Sequence, residues 1–206
     1  MLKHLYMLYE IAHIIKDKFG FLWDAIEWGN ASLFSFIYGK RLKEIPAILK
    51  DCGDETFLVR ETNLEDASRL AAFFKEQPEE AFDYFKPHGF DEQSLTKVLR
   101  NKAFLTYVVE EGSKIVGYFF MRSFVNNKTF KGYMVDYRQR GKGIARLMGI
   151  AMNRIDMKLG MRMFKSISPE NPASLAVTKK VNDIKILKTL DNGDLYLECF
   201  PKEGYY

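Results

Sequence analysis

Between Arg138 and Arg146 the chain reads "RQRGKGIAR", placing two glycines and four cations immediately after the apolar stretch "GYMVDY". Glycines let successive backbone amides turn into one concavity, and a helix beginning there adds unpaired N–H groups and the positive end of its dipole. An anion such as a diphosphate suits that arrangement. Arg138, Arg140, Lys142 and Arg146 supply cations, and no acidic residue occurs from Tyr137 to Arg154. A P-loop is excluded, because Lys142 is followed by Gly143 and only one residue separates the glycines. A dinucleotide fingerprint fails too, since Arg146 stands where a third small residue is required. Taken alone the stretch reads as a solvated cationic turn, and its surroundings have to say more. A second candidate for chemistry is His88 in "FKPHGF", whose ordinary pKa of about 6.5 suits a general base. A histidine in a Pro-Gly turn equally well packs or caps.

The elements that must position these residues follow from periodicity. Residues 1–50 predict helix, with Leu5, Leu8, Ile11, Ala12, Ile15, Phe19 and Leu22 near a 3.6-residue repeat and a break at Gly29-Asn30. Asp51–Glu55 is a polar break. "TFLVRET" then predicts a strand and "NLEDASRLAAFF" a helix, with Asn63 as N-cap and Asp66 at its third position. "AFLTYVVEE" and "IVGYFFMRSF" predict a hairpin around Gly112-Ser113, and "KTFKGYMVDY" a further strand leading into the glycine turn. Beyond the turn, Ile144, Leu147, Met148, Ala151 and Ile155 share one face of a helix. "MRMFKSIS" predicts a strand, "NPASLAVTKKV" a helix opened by a proline, and "IKILKTL" with "DLYLECF" a closing hairpin on an Asn-Gly type turn. The fold class is mixed α/β: a mostly antiparallel sheet flanked by helices, with one helical crossover after the glycine turn and an N-terminal helical appendage.

"VDYRQRGKGIARLM" resembles the signature region of the GNAT superfamily of N-acetyltransferases, in which a strand ending in Val-Asp leads through Arg/Gln-x-x-Gly-x-Gly/Ala into a long helix. Arg140, Gly143 and Ala145 take the three defining places. "FLVRETNLEDASRLAAFF" is similar to the first strand and helix of that superfamily, "VVEEGSKIVGYFFMRS" to its second and third strands, and "SPENPASLAVTKKV" to the exit of its fifth strand and its fourth helix. The resemblance spans residues 56–200, a GNAT domain behind an extension at 1–50.

The resemblance implies acetyl-CoA as co-substrate and no metal. It places the diphosphate on the amides of Gly141, Lys142, Gly143, Ile144, Ala145 and Arg146, with Arg140 beside them and the adenosine 3′-phosphate against the basic C-terminal half. Free backbone groups of Tyr133, Met134 and Val135 pair with the pantetheine arm, and Asn171 takes the place of an asparagine that contacts the cofactor. The superfamily often has a tyrosine seven residues after that asparagine, as the acid for the leaving thiolate. This chain has Thr178 there, and Asn182-Asp183 in place of a closing Gly-Phe. Tyr133, on the same strand face as Val135, is a candidate replacement, although a core tyrosine reads equally well. Asp136 reads as a carboxylate that holds the loop. His88 falls in the region that borders the acceptor in this superfamily. The acceptor is a primary amine of a small molecule, an amino sugar among them, with peptide or polyamine amines as alternatives. It must be neutral to attack the thioester, although such amines have a pKa near about 10, so a group or a water chain must take a proton.

Charge and composition bound the rest. Net charge is +4, but Lys128–Lys188 carries fourteen Lys and Arg against four Asp and Glu, so the C-terminal half is the place for a polyanion. Nucleic acid ranks below acetyl-CoA, because aromatics for base stacking are sparse there. A non-catalytic acyl-CoA sensor is the other class of reading, drawn from Thr178 and the lack of an evident base. Cys52 and Cys199 lack partners at ligand spacing, which indicates neither a disulfide framework nor a zinc site. Two such cysteines fit a reducing, cytoplasmic setting, and no signal peptide or spanning segment is expected. Trp23, Trp28, Phe34, Phe36 and Tyr38 beside Lys40, Arg41 and Lys43 admit contact with a membrane surface or a homodimer, and packing against the main domain is the expected use.

Overall fold

Seven strands form one sheet in the order β1-β2-β3-β4-β5-β7-β6 in this computed structural model, which describes residues 20–206. The elements run α1 (Gly20–Leu42), α2 (Ile45–Lys50), β1 (Phe57–Glu61), α3 (Asp66–Lys75), α4 (Glu92–Arg100), β2 (Phe104–Glu111), β3 (Lys114–Phe124), β4 (Lys128–Val135), α5 (Ile144–Leu159), β5 (Arg162–Ile167), α6 (Pro172–Val181), β6 (Asn182–Thr189) and β7 (Leu195–Pro201). Each neighbouring pair is antiparallel except β4 and β5, which α5 connects in parallel. That is the predicted mixed sheet, with the crossover where the sequence put it.

Alternation along the strands fills a core on each face. Val109, Val116, Phe119 and Met121 point to α1, α2 and α5, where they meet Phe34, Ile45, Leu49, Met148, Ala151 and Ile155. Val108, Tyr118 and Met134 point to α3 and α4, against Leu70, Phe74, Phe85 and Leu95. A smaller cluster joins Met163, Ile167, Leu197 and Cys199 beneath α6. Arg60 ties β1, α3 and β2 together, pairing with Asp66 and with Glu110, each at 2.8 Å.

Two sequence expectations are corrected. The chain does not break at Gly29-Asn30; α1 runs through both, and Asn30 is held by tertiary bonds, its Nδ2 donating to Ser123 O at 3.1 Å and its Oδ1 accepting from Val125 N–H at 3.3 Å. Ala31, Phe34 and Tyr38, one face of that helix, are core residues, as expected of a segment that covers the domain. Leu5, Leu8, Ile11, Ala12, Ile15 and Phe19 lie outside the described residues. The helix predicted from Asn63 begins at Asp66 instead. Asn63 Oδ1 accepts from Glu65 N–H and Asp66 Oδ2 accepts from Asn63 N–H, making a turn ahead of the helix, while the buried Asp66 carboxylate is drawn to Arg60 and Arg69. No helix among the described residues is long and apolar enough to cross a membrane.

Candidate functional site

The parallel pair creates the site. β4 and β5 are paired only from Lys128 to Phe130 against Arg162 to Phe164, and beyond those three positions they separate. Both strands end at the same side, and each is followed by a helix whose N-terminus opens there: α5 after β4 and α6 after β5. A crevice outside the carboxyl ends of parallel strands, faced by two helix N-termini, is where α/β sheets receive anionic ligands.

The glycine turn is built for such a ligand. Gly141 and Gly143 have φ of +82° and +84°, and a Cβ on either would meet nothing within 4 Å, so no other part of the chain covers the turn there. Gly143 is the N-cap of α5 and its carbonyl accepts from Leu147 N–H at 3.0 Å, leaving the N–H groups of Ile144, Ala145 and Arg146 in the unpaired first turn. Ile144 and Met148 seat over Gly117 of β3, where an added Cβ would lie 3.0 Å from Ile144. That close approach fixes the helix N-terminus against the sheet.

The loop is tied down by contacts the sequence did not announce. Buried Asp136 accepts from the amide and Nε of Arg138, each at 3.0 Å, and lies 3.4 Å from Lys114 Nζ. Burial alone would raise the Asp136 carboxyl; the Arg138 bonds carry it below the ordinary aspartate value. Asp136 therefore has the loop-holding place expected of it. Arg138 is spent on Asp136 and Glu76, so it is not among the cations left for a ligand. Gln77 Oε1 accepts from Tyr137 N–H at 3.0 Å. Lys142 is 3.8 Å from Glu111, and Arg146 lies over the Tyr205 ring. Arg140 is exposed and makes no ion pair among the described residues.

Where β4 and β5 part, side chains from three elements meet. The Tyr133 hydroxyl is buried with no hydrogen-bond partner of good geometry. Burial raises its pKa, and the nearby hydroxyls of Ser174 and Thr178 offset part of the rise. Lys165 reaches from β5 over the Tyr133 ring, 4.6 Å from its centroid, and donates to Thr178 Oγ1 at 3.3 Å. Val135 shares the Tyr133 side of β4, whereas Met134 points to the opposite core. Asn171 caps α6, its Oδ1 accepting from Ser174 N–H at 3.0 Å. It also lines a cavity of about 530 Å³ that includes Asp83, Tyr84, Ser166, Glu170, Ser174 and Asp194.

His88 belongs elsewhere. Its Nδ1 faces Gly89 O at 2.8 Å and its Nε2 the Tyr118 hydroxyl at 2.9 Å, so both ring nitrogens are engaged. The ring packs among Phe74, Phe90, Phe104 and Phe120, and the residue does not line the cavity. Its ring nitrogens face Gly89 and Tyr118 rather than the cavity, so the surroundings of His88 are those of a packing residue. Burial lowers its pKa, so protonation is disfavoured in the folded chain; the penalty appears as pH falls below the unfolded value of about 6.5 and grows towards the folded pKa. His88→Ala should leave the Tyr118 hydroxyl buried and unpaired, a loss of about 1–3 kcal/mol at neutral pH. Denaturant midpoints compared at pH 7.5 and 5.5 should show the deficit shrinking at the lower pH.

Lys165, Ser174, Gln77 and the cavity carboxylates were not singled out from the sequence. Lys165 had a signal: in "MRMFKSIS" it alternates with Met163 and Ile167, which puts a lysine on an apolar face. The cavity had none, because segments distant in sequence converge on it.

No family model and no curated protein matches this sequence. Solved structures do. The GNAT domain of S. lividans PAT superposes with a TM-score of 0.61 at 17% identity, over 73% of this chain and 93% of that one. The ribosomal-protein-S5-alanine acetyltransferase from Vibrio fischeri gives 0.59 at 17% identity, over 75% and 97%. The PaiA N-acetyltransferase from Thermoplasma acidophilum, solved with coenzyme A, gives 0.60 at 14%, over 71% and 99%. With its parting parallel strands, its glycine turn and these superpositions, the chain has the fold of the GNAT acetyltransferases.

Proposed function

We propose that the protein is an acetyltransferase that moves an acetyl group from acetyl-CoA to the primary amine of a small polar molecule, by direct attack on the thioester. The observation that carries this reading is the parting of β4 from β5 after three paired positions, at the end where the glycine turn and two helix N-termini converge. The turn at Gly141 and Gly143 is uncovered by the rest of the chain, which leaves room for a diphosphate against its amides. In this reading the amides from Gly141 to Arg146 hold it, and Arg140, Lys142 and Arg146 add charge. The unpaired edge of β4 around Tyr133–Val135 receives the pantetheine arm, and a backbone N–H there polarises the thioester carbonyl. Acetyl-CoA supplies an activated acyl group, so the protein's part is to orient, to exclude water and to move protons.

Burial holds Tyr133 in its protonated form, which suits a neutral hydrogen-bond donor that orients the thioester in the gap. The acceptor occupies the cavity at the end of the gap. Asp83, Glu170 and Asp194 outweigh Lys86 among the charges lining it and favour an amine, while Tyr84, Ser166 and Asn171 offer partners for hydroxyl groups, as an amino sugar requires. The proton lost by the attacking amine passes to these carboxylates through water.

A panel of amines incubated with acetyl-CoA and read by free thiol tests the proposal. It should include amino sugars, polyamines, aminoglycosides and peptides with free N-termini. Thiol release with an amino sugar or another small hydroxylated amine is the expected result. CoA binding with no release for any amine would make the protein an acyl-CoA sensor instead.

A further inference from the structure

Lys165 is 5% exposed, and no carboxylate lies within ion-pair distance of it among the described residues. Buried ammonium groups are ordinarily paired, because an uncompensated charge in a low-dielectric interior is expensive. The groups around Lys165 come from each element packed on it. Thr178 of α6 accepts from its Nζ, the Tyr133 ring of β4 lies beneath it, Lys131 of β4 repels it, and the Cys199 thiol of β7 is a weak counterpart. Burial depresses its pKa to about 8, with Cys199 opposing and Lys131 adding to the effect. A cation retained there without an anion points to a negative charge that is present only during the reaction.

The position identifies that charge. Lys165 is the first residue of β5 beyond the last pair with β4, and its side chain spans the gap from β5 to Tyr133 and α6. Its contact, Thr178, stands at the place where the resemblance puts the tyrosine acid. The inference rests on the proposed acetyl-CoA reading. We propose that Lys165 is the group that stabilises and protonates the thiolate leaving group, replacing the tyrosine this chain lacks, with Thr178 and the Tyr133 ring holding its ammonium in the gap. In the step the acceptor nitrogen bonds to the acyl carbon and the carbon–sulfur bond breaks with its electron pair on sulfur. A proton from Lys165 Nζ then makes the free thiol. The neutral amine left on Lys165 recovers, by way of water, the proton that the acceptor nitrogen gave up to the cavity carboxylates, so no external oxidant or reductant enters.

The test needs no acceptor. Coenzyme A is bound to the protein and its thiol is titrated by thiolate absorbance, against free coenzyme A with a thiol pKa of about 8.5. In the wild type the bound thiol should titrate at least about one unit lower, the direction a neighbouring cation imposes. Lys165→Met and Lys165→Gln should both bind coenzyme A within about threefold of wild type and return the thiol to its free value or above. The glutamine keeps a donor for Thr178, so a purely structural role would predict no shift in it. An unshifted thiol in wild-type protein, or a lowered one that survives both substitutions, would overturn the role of Lys165 while leaving acetyl-CoA binding intact. Failure of wild-type protein to bind coenzyme A would overturn the acetyl-CoA reading as well.

Discussion

Replacement of Gly143 by valine should weaken coenzyme A binding by about a hundredfold or more, with the fold retained. Gly143 has a φ of +84°, a conformation that a β-branched residue adopts only with strain of order 1–3 kcal/mol. A Cβ at this position would meet no neighbour within 4 Å, so the expected damage is local. Binding suffers twice. The isopropyl group fills space beside the turn that is otherwise open, and any relaxation of φ turns the amides of Gly143 and Ile144 away from a common point. Hydrogen bonds to charged groups contribute about 1.5–3 kcal/mol each, so the loss of two removes about 3–6 kcal/mol, two to four decades in affinity. Calorimetric titration with coenzyme A is the check, beside thermal unfolding of the free variant. Binding within tenfold of wild type would mean the diphosphate does not use this turn.

Asp156→Ala should be the most destabilising single change near the site. Asp156 Oδ2 lies 3.3 Å from Lys131 Nζ, and both side chains are within 1% of full burial. Lys131 Nζ also donates to Asn153 Oδ1 at 3.3 Å and to Met163 Sδ at 3.0 Å. Neither Asp156 oxygen has a hydrogen bond of good geometry despite the ion pair, which agrees with burial raising its pKa to about 6 while Lys131 pulls the other way. We read the pair as electrostatic contact in a dry interior rather than a well-formed bridge. The alanine leaves an ammonium buried without its carboxylate, and breaking one partner of such a pair costs about 3–5 kcal/mol. The double variant Lys131→Met with Asp156→Leu should recover most of that loss, since removing both charges is often neutral or better. Denaturant unfolding of the three proteins distinguishes these outcomes; a single-variant loss below about 1 kcal/mol would show that Lys131 finds other partners. The pair joins β4 to α5 just past the point where β4 leaves β5, so it also braces the helix that presents the glycine turn.

What could be read in advance was local. The glycine turn announced itself because two residues with positive φ must fall within three positions, and only glycine does that without strain. Strand alternation gave the hairpins, and a proline after Asn171 gave the start of α6. What escaped was tertiary. Gly29-Asn30 carries the composition of a break, yet Asn30 finds its partners on β3 and the loop after it, and those contacts override the local preference. Asn63 and Asp66 have capping-box spacing, but the pairing of the buried Asp66 carboxylate with Arg60 and Arg69 moves the helix start. The place of Tyr133 beside Ser174 and Thr178 depends on the parting of two strands that no periodicity encodes. His88 looked like a base because its type is right; its environment, an aromatic cluster with a tyrosine hydroxyl, was invisible until the loop was folded.

Thermal unfolding of the wild-type protein with and without acetyl-CoA bears most directly on the claim that the glycine turn and the parted strands hold this co-substrate. A ligand that binds only the folded state at a hundred times its dissociation constant stabilises by about 2.7 kcal/mol. For a domain of this size that corresponds to a rise in melting temperature of roughly 5–10 °C. The account predicts a rise of that order, which inorganic diphosphate reproduces only weakly. An unchanged melting temperature at millimolar acetyl-CoA would contradict it.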